Sequence, residues 1–384
     1  MKVLFLTMGD CFHAPKDGGG QCNARNYRFL QQLYGAQNVF AACFTDDAPP
    51  AVPGVHYLPQ NTNRLVRLTS ALTGRLECKA DGQRQAITLF RQLACEAVFL
   101  DSLCGSWIGR FRKAAPGVKI LFFAINLDVE YYRLRVEKEG RHILPIYWGV
   151  RRNERAAVRQ ADWFATLTDR DDRGFLQTYS RSADVVLPMS FADRFDAAQL
   201  PAAGKSAVEE KRLLFIGSLF AANLDGAAWF VREVLPLLPQ YRLTIVGKGF
   251  ERERQALENP QVEVVGTVED LAPYYYRHPV LVLPIRYGAG VKIKTAEAIM
   301  YGRTIFATDE ALEGYEADGV EGIFRCNTPA EFAREIESFF ARPGPLPAFQ
   351  PAVRQLFLNR HEDSMVCRKM KQSLQAKHLL PEKV

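Results

Sequence analysis

The chain lacks any apolar run near the ~18 residues that a membrane-spanning helix needs. Its opening, MKVLFLTMGDCF, imitates a secretion signal only in Lys2 and the short stretch Val3 to Leu6. Thr7, Gly9 and Asp10 then interrupt it, so the segment reads as a first β-strand and the expected location is cytoplasmic. The eight cysteines stand at 11, 22, 43, 78, 95, 104, 326 and 367 without a CxxC pair. That spacing offers no metal site, and a disulfide framework is not expected in a chain of this size. No GxxxxGK[ST] loop is present, no segment repeats with a period of 20–50 residues, and no RNA- or DNA-binding motif is visible. The net charge is only +6, which argues no nucleic-acid partner but suits phosphorylated ligands or an anionic membrane surface.

The chain has 384 residues, 48% of them hydrophobic and 24% charged, so it is an ordinary folded protein too long for one core. Its most informative stretch is LVLPIRYGAGVKIKTAEAIM, Leu281 to Met300. Leu281 to Pro284 reads as a buried parallel strand closed by a proline that cannot donate to a ladder. Thr295 to Met300 reads as a helix. Between them, Gly288 and Gly290 let the backbone approach a ligand, and Lys292 and Lys294 add positive charge beside the unpaired N–H groups of a helix start. A phosphate is a plausible occupant. A turn that binds nothing is the competing reading, because GAG lacks the third glycine of a dinucleotide fingerprint. Glu297, a turn further on, is placed to accept hydrogen bonds from ribose hydroxyls.

This segment resembles the donor-site signature of the GT-B glycosyltransferases of family 4, the glycosyl transferases group 1 type. A common form there is P-x-x-x-G-x-G-x-K-x-K-x-x-E-A-M-A-x-G-x-P-V. Here Pro284, Gly288, Gly290, Lys292, Lys294, Glu297, Ala298 and Gly302 stand at those positions, followed by Thr304 to Thr308. The likeness extends through Phe215-Ile216-Gly217-Ser218-Leu219, Asn223, Trp229-Phe230, Ile245 to Gly249 and Val265 to Leu271, and so over most of 212–340. Over 1–190 it is looser.

The resemblance implies an α/β protein of the GT-B kind, two Rossmann-like domains facing across a cleft. The expected domains are 1–192 on the acceptor side, a linker at 193–211 and a nucleotide-sugar domain at 212–345. A terminal helix over 352–384 is expected to cross back to the first domain. The βαβ rhythm of the first half agrees with a parallel sheet. Its strands are expected at Lys2–Thr7, Asn38–Phe44, Val55–Leu58, Ala97–Asp101, Val118–Ala124, Phe164–Thr168 and Asp184–Pro188. Gly18-Gly19-Gly20 reads as the end of a loop that opens a helix, and the resemblance puts Gly19 and Gly20 near the donor diphosphate. A tight turn explains them equally.

Ile125 to Tyr132 is similar to the family's H-N-x-E-x-x-Y-Y, with Ile125 at the histidine position and Asp128 at the glutamate position. Asn126, Asp128 and Glu130 are therefore acceptor or sugar candidates, although Glu130 suits Arg133 or Arg135 equally well as a partner. Arg64 to Cys78 and Tyr147 to Asp162 both read as basic helices. The first fits a membrane or acceptor contact or, more commonly, a solvated face. Asp171-Asp172 follows Thr168-Asp169 at a helix start, where capping and the macrodipole explain acidic residues without a metal.

For function, the resemblance implies a hexosyl-type transferase that moves sugar from a UDP- or GDP-sugar to a glycan or lipid-linked acceptor with retention, as in polysaccharide biosynthesis. No cofactor or metal is implied. Donor contacts are expected from Gly217, Ser218, Gly247, Val268, Gly288, Ala289, Gly290, Val291, Lys292 and Glu297. Lys292 and Asp128 are the catalytic candidates, and Lys294 reads equally as a phosphate ligand or as a solvated side chain. Ala289 stands where the family often has a first carboxylate toward the donor sugar. A nucleotide-sugar epimerase or hydrolase and a non-catalytic nucleotide-binding homologue are the alternatives.

Overall fold

The computed structural model describes residues 1–13, 18–46, 49–60, 80–101, 105, 107–200, 211–288, 291–343, 347 and 349–380. The chain forms two compact units, Met1–Met189 with Val366–Val384, and Ser190–Met365. Arg64 to Cys78, the first of the basic segments, lies outside the described residues, as do Ala289 and Gly290.

Unit 1 is built on β1 (Val3–Met8), β2 (Val39–Phe44), β3 (Val55–Leu58), β4 (Ala97–Asp101), β5 (Lys119–Ala124), β6 (Trp163–Thr166) and β7 (Val185–Val186). They form one parallel sheet in the order β3-β2-β1-β4-β5-β6-β7. Val3 to Leu6, Ala97 to Leu100 and Ile120 to Ala124 are fully buried. Strands covered on both faces carry unbroken apolar runs, which is why these segments show no alternation in sequence.

Unit 2 is built on β8 (Arg212–Ile216), β9 (Arg242–Val246), β10 (Val262–Gly266), β11 (Val280–Leu283), β12 (Thr304–Ala307) and β13 (Ile323–Arg325). The order is β10-β9-β8-β11-β12-β13, again parallel. From β8 the chain winds outward through β9 to β10, then returns to β11 on the other side of β8. The switch point therefore falls between β8 and β11.

Four local expectations change. Gly18, Gly19 and Gly20 are the first turn of the helix Gly18–Tyr34 rather than a loop before it. Ile125 to Tyr132 starts directly after β5, and from Asp128 it runs on as the helix Asp128–Glu139, which was not expected. The described part of the expected linker, residues 193–200, belongs to unit 2, as do residues 190–192 before it: Phe191 exchanges backbone bonds with His361 and Asp363 at 2.9 and 3.0 Å. The single terminal helix is two, Pro351–Arg360 and Asp363–Ala376. Glu362 breaks it, because its carboxylate accepts from the backbone N–H groups of Ser364 at 3.1 Å and Met365 at 3.2 Å and so starts a new helix. The pairing of Phe191 with the residues on either side of Glu362 fixes the break.

The second of these helices completes unit 1. Trp163 Nε1 donates to Ser373 Oγ at 2.9 Å, and Tyr34 Oη donates to the Leu379 carbonyl at 3.1 Å. Met370 and Leu374 are fully buried. We predict that Leu374→Ala lowers stability by about 2–5 kcal/mol, the range for emptying a buried leucine site. Urea denaturation measures it, with exposed Gln372→Ala as a control that changes stability by less than about 0.5 kcal/mol.

Candidate functional site

In open parallel sheets ligands bind beyond the carboxyl ends of the strands at the switch point. In unit 2 that place is bounded by the residues after β8, β9 and β11. The backbone there is stitched together: Gly217 N–H donates to Val246 O at 3.0 Å, Gly247 N–H to Gly266 O at 2.8 Å, and Leu219 N–H to Lys248 O at 2.7 Å. Glycine is required. At Gly247, φ is +149° and a Cβ would lie 1.9 Å from the Gly217 carbonyl oxygen. At Gly226, in the helix Ala221–Trp229, a Cβ would lie 2.4 Å from the Pro284 oxygen. The first contact seats β9's exit against β8's, and the second seats the helix after β8 against the exit of β11.

Two lysines enter this space. Lys294 Nζ is hydrogen-bonded to Asn223 Oδ1, and Asn223 Nδ2 donates to Ser218 O at 2.7 Å. The ammonium also lies 6.0 Å from the centre of the Phe215 ring. Burial, and after it the charge of Lys292, bring the Lys294 ammonium down to about 8, while Glu297 opposes them. Lys294 is thus not a solvated surface lysine. Lys292 is 9% exposed and forms an ion pair with Glu310. It is also the N-cap of the helix Ile293–Met300, with no side-chain cap on that helix start.

Glu297 lies one turn beyond Lys294 on the same helix, at a spacing that shares a face. Its side chain is 18% exposed. Tyr275 Oη donates to Oε2 at 3.1 Å, and the Arg194 guanidinium stands 4.0 Å from Oε1. Burial pushes the Glu297 carboxyl up, and Tyr275, Arg194 and Lys294 hold it back. The turn after β10 is ordered by Glu251. Its carboxylate accepts from Gly249 N–H at 3.0 Å, Thr267 N–H at 3.1 Å and Thr267 Oγ. Hydrogen bonds, first from its own backbone and then from Thr267 and Gly249, hold that carboxyl below the usual range.

Of the donor residues expected from sequence, unit 2 gathers Gly217, Ser218, Gly247, Gly288, Lys292 and Glu297 around these strand ends. Gly217 is buried and Ser218 exposed, while Val268 and Val291 are partly buried against the core. Gly19, Gly20, Asn126, Asp128 and Glu130 belong to unit 1. There Glu130 is engaged by Arg133, with Nε donating to Oε2 at 2.9 Å. The helix Asp128–Glu139 begins on a carboxylate that the sequence reading passed over. Glu154 is fully buried and accepts from Asp128 N–H at 2.6 Å, Val129 N–H at 3.2 Å and Tyr179 Oη at 2.8 Å. Burial and then the charge of Asp128 push its carboxyl up to about 8, against those hydrogen bonds. Its signal in the sequence is periodicity: with Val150, Ala157 and Val158 it falls on the apolar side of the helix Leu144–Gln160. The aspartates Asp171 and Asp172 are structural, Asp171 accepting from Thr168 Oγ at 2.6 Å and Asp172 from Ala183 N–H at 2.6 Å.

Comparison with known proteins agrees with the fold. The family model described as "Glycosyl transferases group 1" matches residues 210–342. The chain is similar to sucrose-phosphate synthase from Thermosynechococcus elongatus, at 15% identity and a TM-score of 0.65 over 98% of this chain and 99% of that one. It is also similar to Anabaena Alr3699/HepE, solved in complex with UDP and glucose, at 14% identity and a TM-score of 0.62 over 98% and 100%. The fold is the GT-B glycosyltransferase fold. A Klebsiella pneumoniae sequence, "Uncharacterized 44.6 kDa protein in cps region", is 27% identical over 141 residues, 33% of this chain and 36% of that protein. The chain thus matches about a third of the length of this curated relative.

Lys294 provides a pH-dependent prediction. The unfolded chain keeps the lysine proton up to about 10.5, whereas the folded chain releases it near 8. Below 8 the buried cation opposes folding in full, and between the two values stability recovers as pH rises. Lys294→Met is therefore expected to raise Tm at pH 7, with the gain shrinking toward pH 10. Calorimetry of both proteins across that range measures it.

Proposed function

We propose that this chain is a glycosyltransferase that takes a sugar from a UDP- or GDP-sugar and passes it to a glycan or lipid-linked acceptor with retention of configuration. The observation that carries this reading is the meeting, at the switch point of unit 2, of a partly buried Lys294, an uncapped helix start and Glu297. In the reading, Glu297 holds the ribose and the backbone of Thr267 to Asp270 meets the base. Backbone near Gly217, Ser218, Gly247 and Gly288 to Val291 approaches the diphosphate and the sugar.

The diphosphate leaves with growing negative charge. Fixed N–H groups and lysine stabilise such charge in the transition state without reorganising, and no metal is part of this proposal. The larger share is assigned to Lys294. Lys292 already faces the Glu310 carboxylate, whereas Lys294 faces the neutral amide of Asn223. Asn126 and Asp128 remain acceptor-side candidates in unit 1, with Asp128 held at its place by Glu154. A binding protein without turnover is the second reading, favoured by Ala289 in place of a carboxylate.

A peripheral membrane contact is assigned to the helix Leu144–Gln160. Trp148, 57% exposed, shares one exposed stripe with Arg152, Arg155 and Arg159, a combination suited to an anionic bilayer surface. Replacing Arg152 and Arg155 by glutamate is expected to abolish sedimentation with phosphatidylglycerol vesicles. Unchanged sedimentation excludes this face.

The donor site is tested by thermal stabilisation with UDP-, GDP-, ADP- and CMP-sugars and the free nucleotides. A ligand at 100-fold over its Kd adds about 2.7 kcal/mol. Stabilisation by one nucleotide class is expected, with loss in Glu297→Ala, Lys292→Ala and Lys294→Met. Sugar transfer to an acceptor then separates an enzyme from a binding protein. No response to any nucleotide would overturn the whole reading.

A further inference from the structure

Residues 190–196 run over unit 2 as a strap with closely spaced anchors. Ser190 Oγ donates to Asp363 Oδ1 at 2.7 Å, and Asp193 pairs with Arg354. Phe195 stacks on Phe349 with ring centres 5.3 Å apart and receives the Arg354 guanidinium 4.7 Å from its own ring centre. Asp196 N–H donates to Tyr276 Oη at 2.7 Å. Each of these neighbours of Arg194 is committed to holding the strap down.

Arg194 itself behaves differently. Its side chain is 65% exposed, yet its guanidinium points at Glu297 and stops 4.0 Å from Oε1. A charge-assisted hydrogen bond between such groups closes to about 2.7–2.9 Å. The gap therefore leaves the pair unbonded, although the strap fixes the backbone on both sides of the arginine. Oε2 of the same carboxylate is already used by Tyr275 Oη at 3.1 Å. Among the described residues, Oε1 has no bonded partner and faces guanidinium donors that have none.

The size of the gap identifies what fits it. A hydroxyl oxygen set about 2.8 Å from both the nitrogen and Oε1 spans 4.0 Å with an angle near 90° at the hydroxyl. It donates its proton to the carboxylate and accepts from the arginine, which satisfies all three groups. A bare phosphate does not suit the position, because Glu297 would repel it. An apolar group would leave both charges unpaired.

We propose that Arg194 and Glu297 together form a recognition site for the ribose diol of the nucleotide, with Arg194 as a donor-binding residue. The proposal rests on the donor-site reading above and adds a residue to it from outside the glycine–lysine segment. The site then selects ribonucleotides because a nucleotide without the diol leaves a largely buried carboxylate and the guanidinium facing it unbridged.

The test measures binding of UDP, GDP and their 2′,3′-dideoxy counterparts by calorimetry, in the wild type, Arg194→Ala, Arg194→Lys and Glu297→Gln. The wild type is expected to prefer the ribonucleotide by about tenfold or more. Arg194→Ala is expected to lose about tenfold for the ribonucleotide and to leave dideoxynucleotide affinity unchanged, which abolishes the preference. Arg194→Lys, which keeps the charge without the planar fork, falls between the two. Equal weakening of both ligands, or of neither, overturns the role of Arg194 while the donor site stands. A wild type that binds no nucleoside diphosphate overturns the donor site and this inference with it. Arg194 is largely exposed, so its variants are expected to melt with the wild type, which separates lost recognition from lost folding.

Discussion

Backbone touches backbone where β8 and β9 end, and the arrangement of unit 2 follows from that contact. The carbonyl of Gly217 occupies the space that any side chain at 247 would need. Nor would a Cβ at 217 be free, since it would lie 2.8 Å from Asn223 Nδ2 and 3.4 Å from Lys294 Cε. The missing side chains are thus filled by the Asn223 amide and the lysine stem. Two strand exits close together leave room for one asparagine, and that asparagine fixes where the ammonium sits. A side chain at 247 would separate the exits and, through Asn223, displace the cation.

The electrostatics of the site run against stability. Lys294 has an amide for a partner instead of a carboxylate, and Glu297 has a phenol at bonding distance and a guanidinium beyond it. Each ionised group is held in a place that disfavours its charge. Poor pairing of this kind is what the proposed donor role asks for, since a close Lys–Glu pair would satisfy itself. Lys292 and Glu310 show that alternative a few residues away. Glu154 in unit 1 is different again: burial outweighs its three donors, but all three come from inside the fold, so it positions a helix start.

Most of the parallel strands were legible because burial on both faces writes them as short apolar runs, and Ala97–Asp101 falls where expected; the half-buried edge strand Val55–Leu58 falls where expected without such a run. The candidate donor segment stands out in the sequence because its glycines, lysines and glutamate lie within fifteen residues of one another. What escaped depends on contacts between distant positions. Arg194 lies 103 positions before Glu297, in a stretch whose alanines, proline and charges suggest a linker. The aromatic packing of Phe195, the pairing of Asp193 with Arg354 and the bond from Asp196 N–H to Tyr276 Oη reveal it as part of unit 2. The break after Arg360 carries neither glycine nor proline, so a helix read from periodicity runs straight through it. Asp128 to Glu139 was hidden by its polarity, for its charges pair along the helix itself through Arg133 and Arg135.

Unit 1 draws its residues from two places in the chain, 1–189 and 366 onward, with all of unit 2 between them. On the ribosome the seven strands of its sheet emerge long before the helix that covers Trp163 and supplies Met370 and Leu374 to its interior. Unit 2, by contrast, is contiguous and complete once Met365 has emerged. The half of the molecule made first is therefore finished last, and a nascent chain exposes an uncovered face of its first sheet for as long as the second unit takes to be translated.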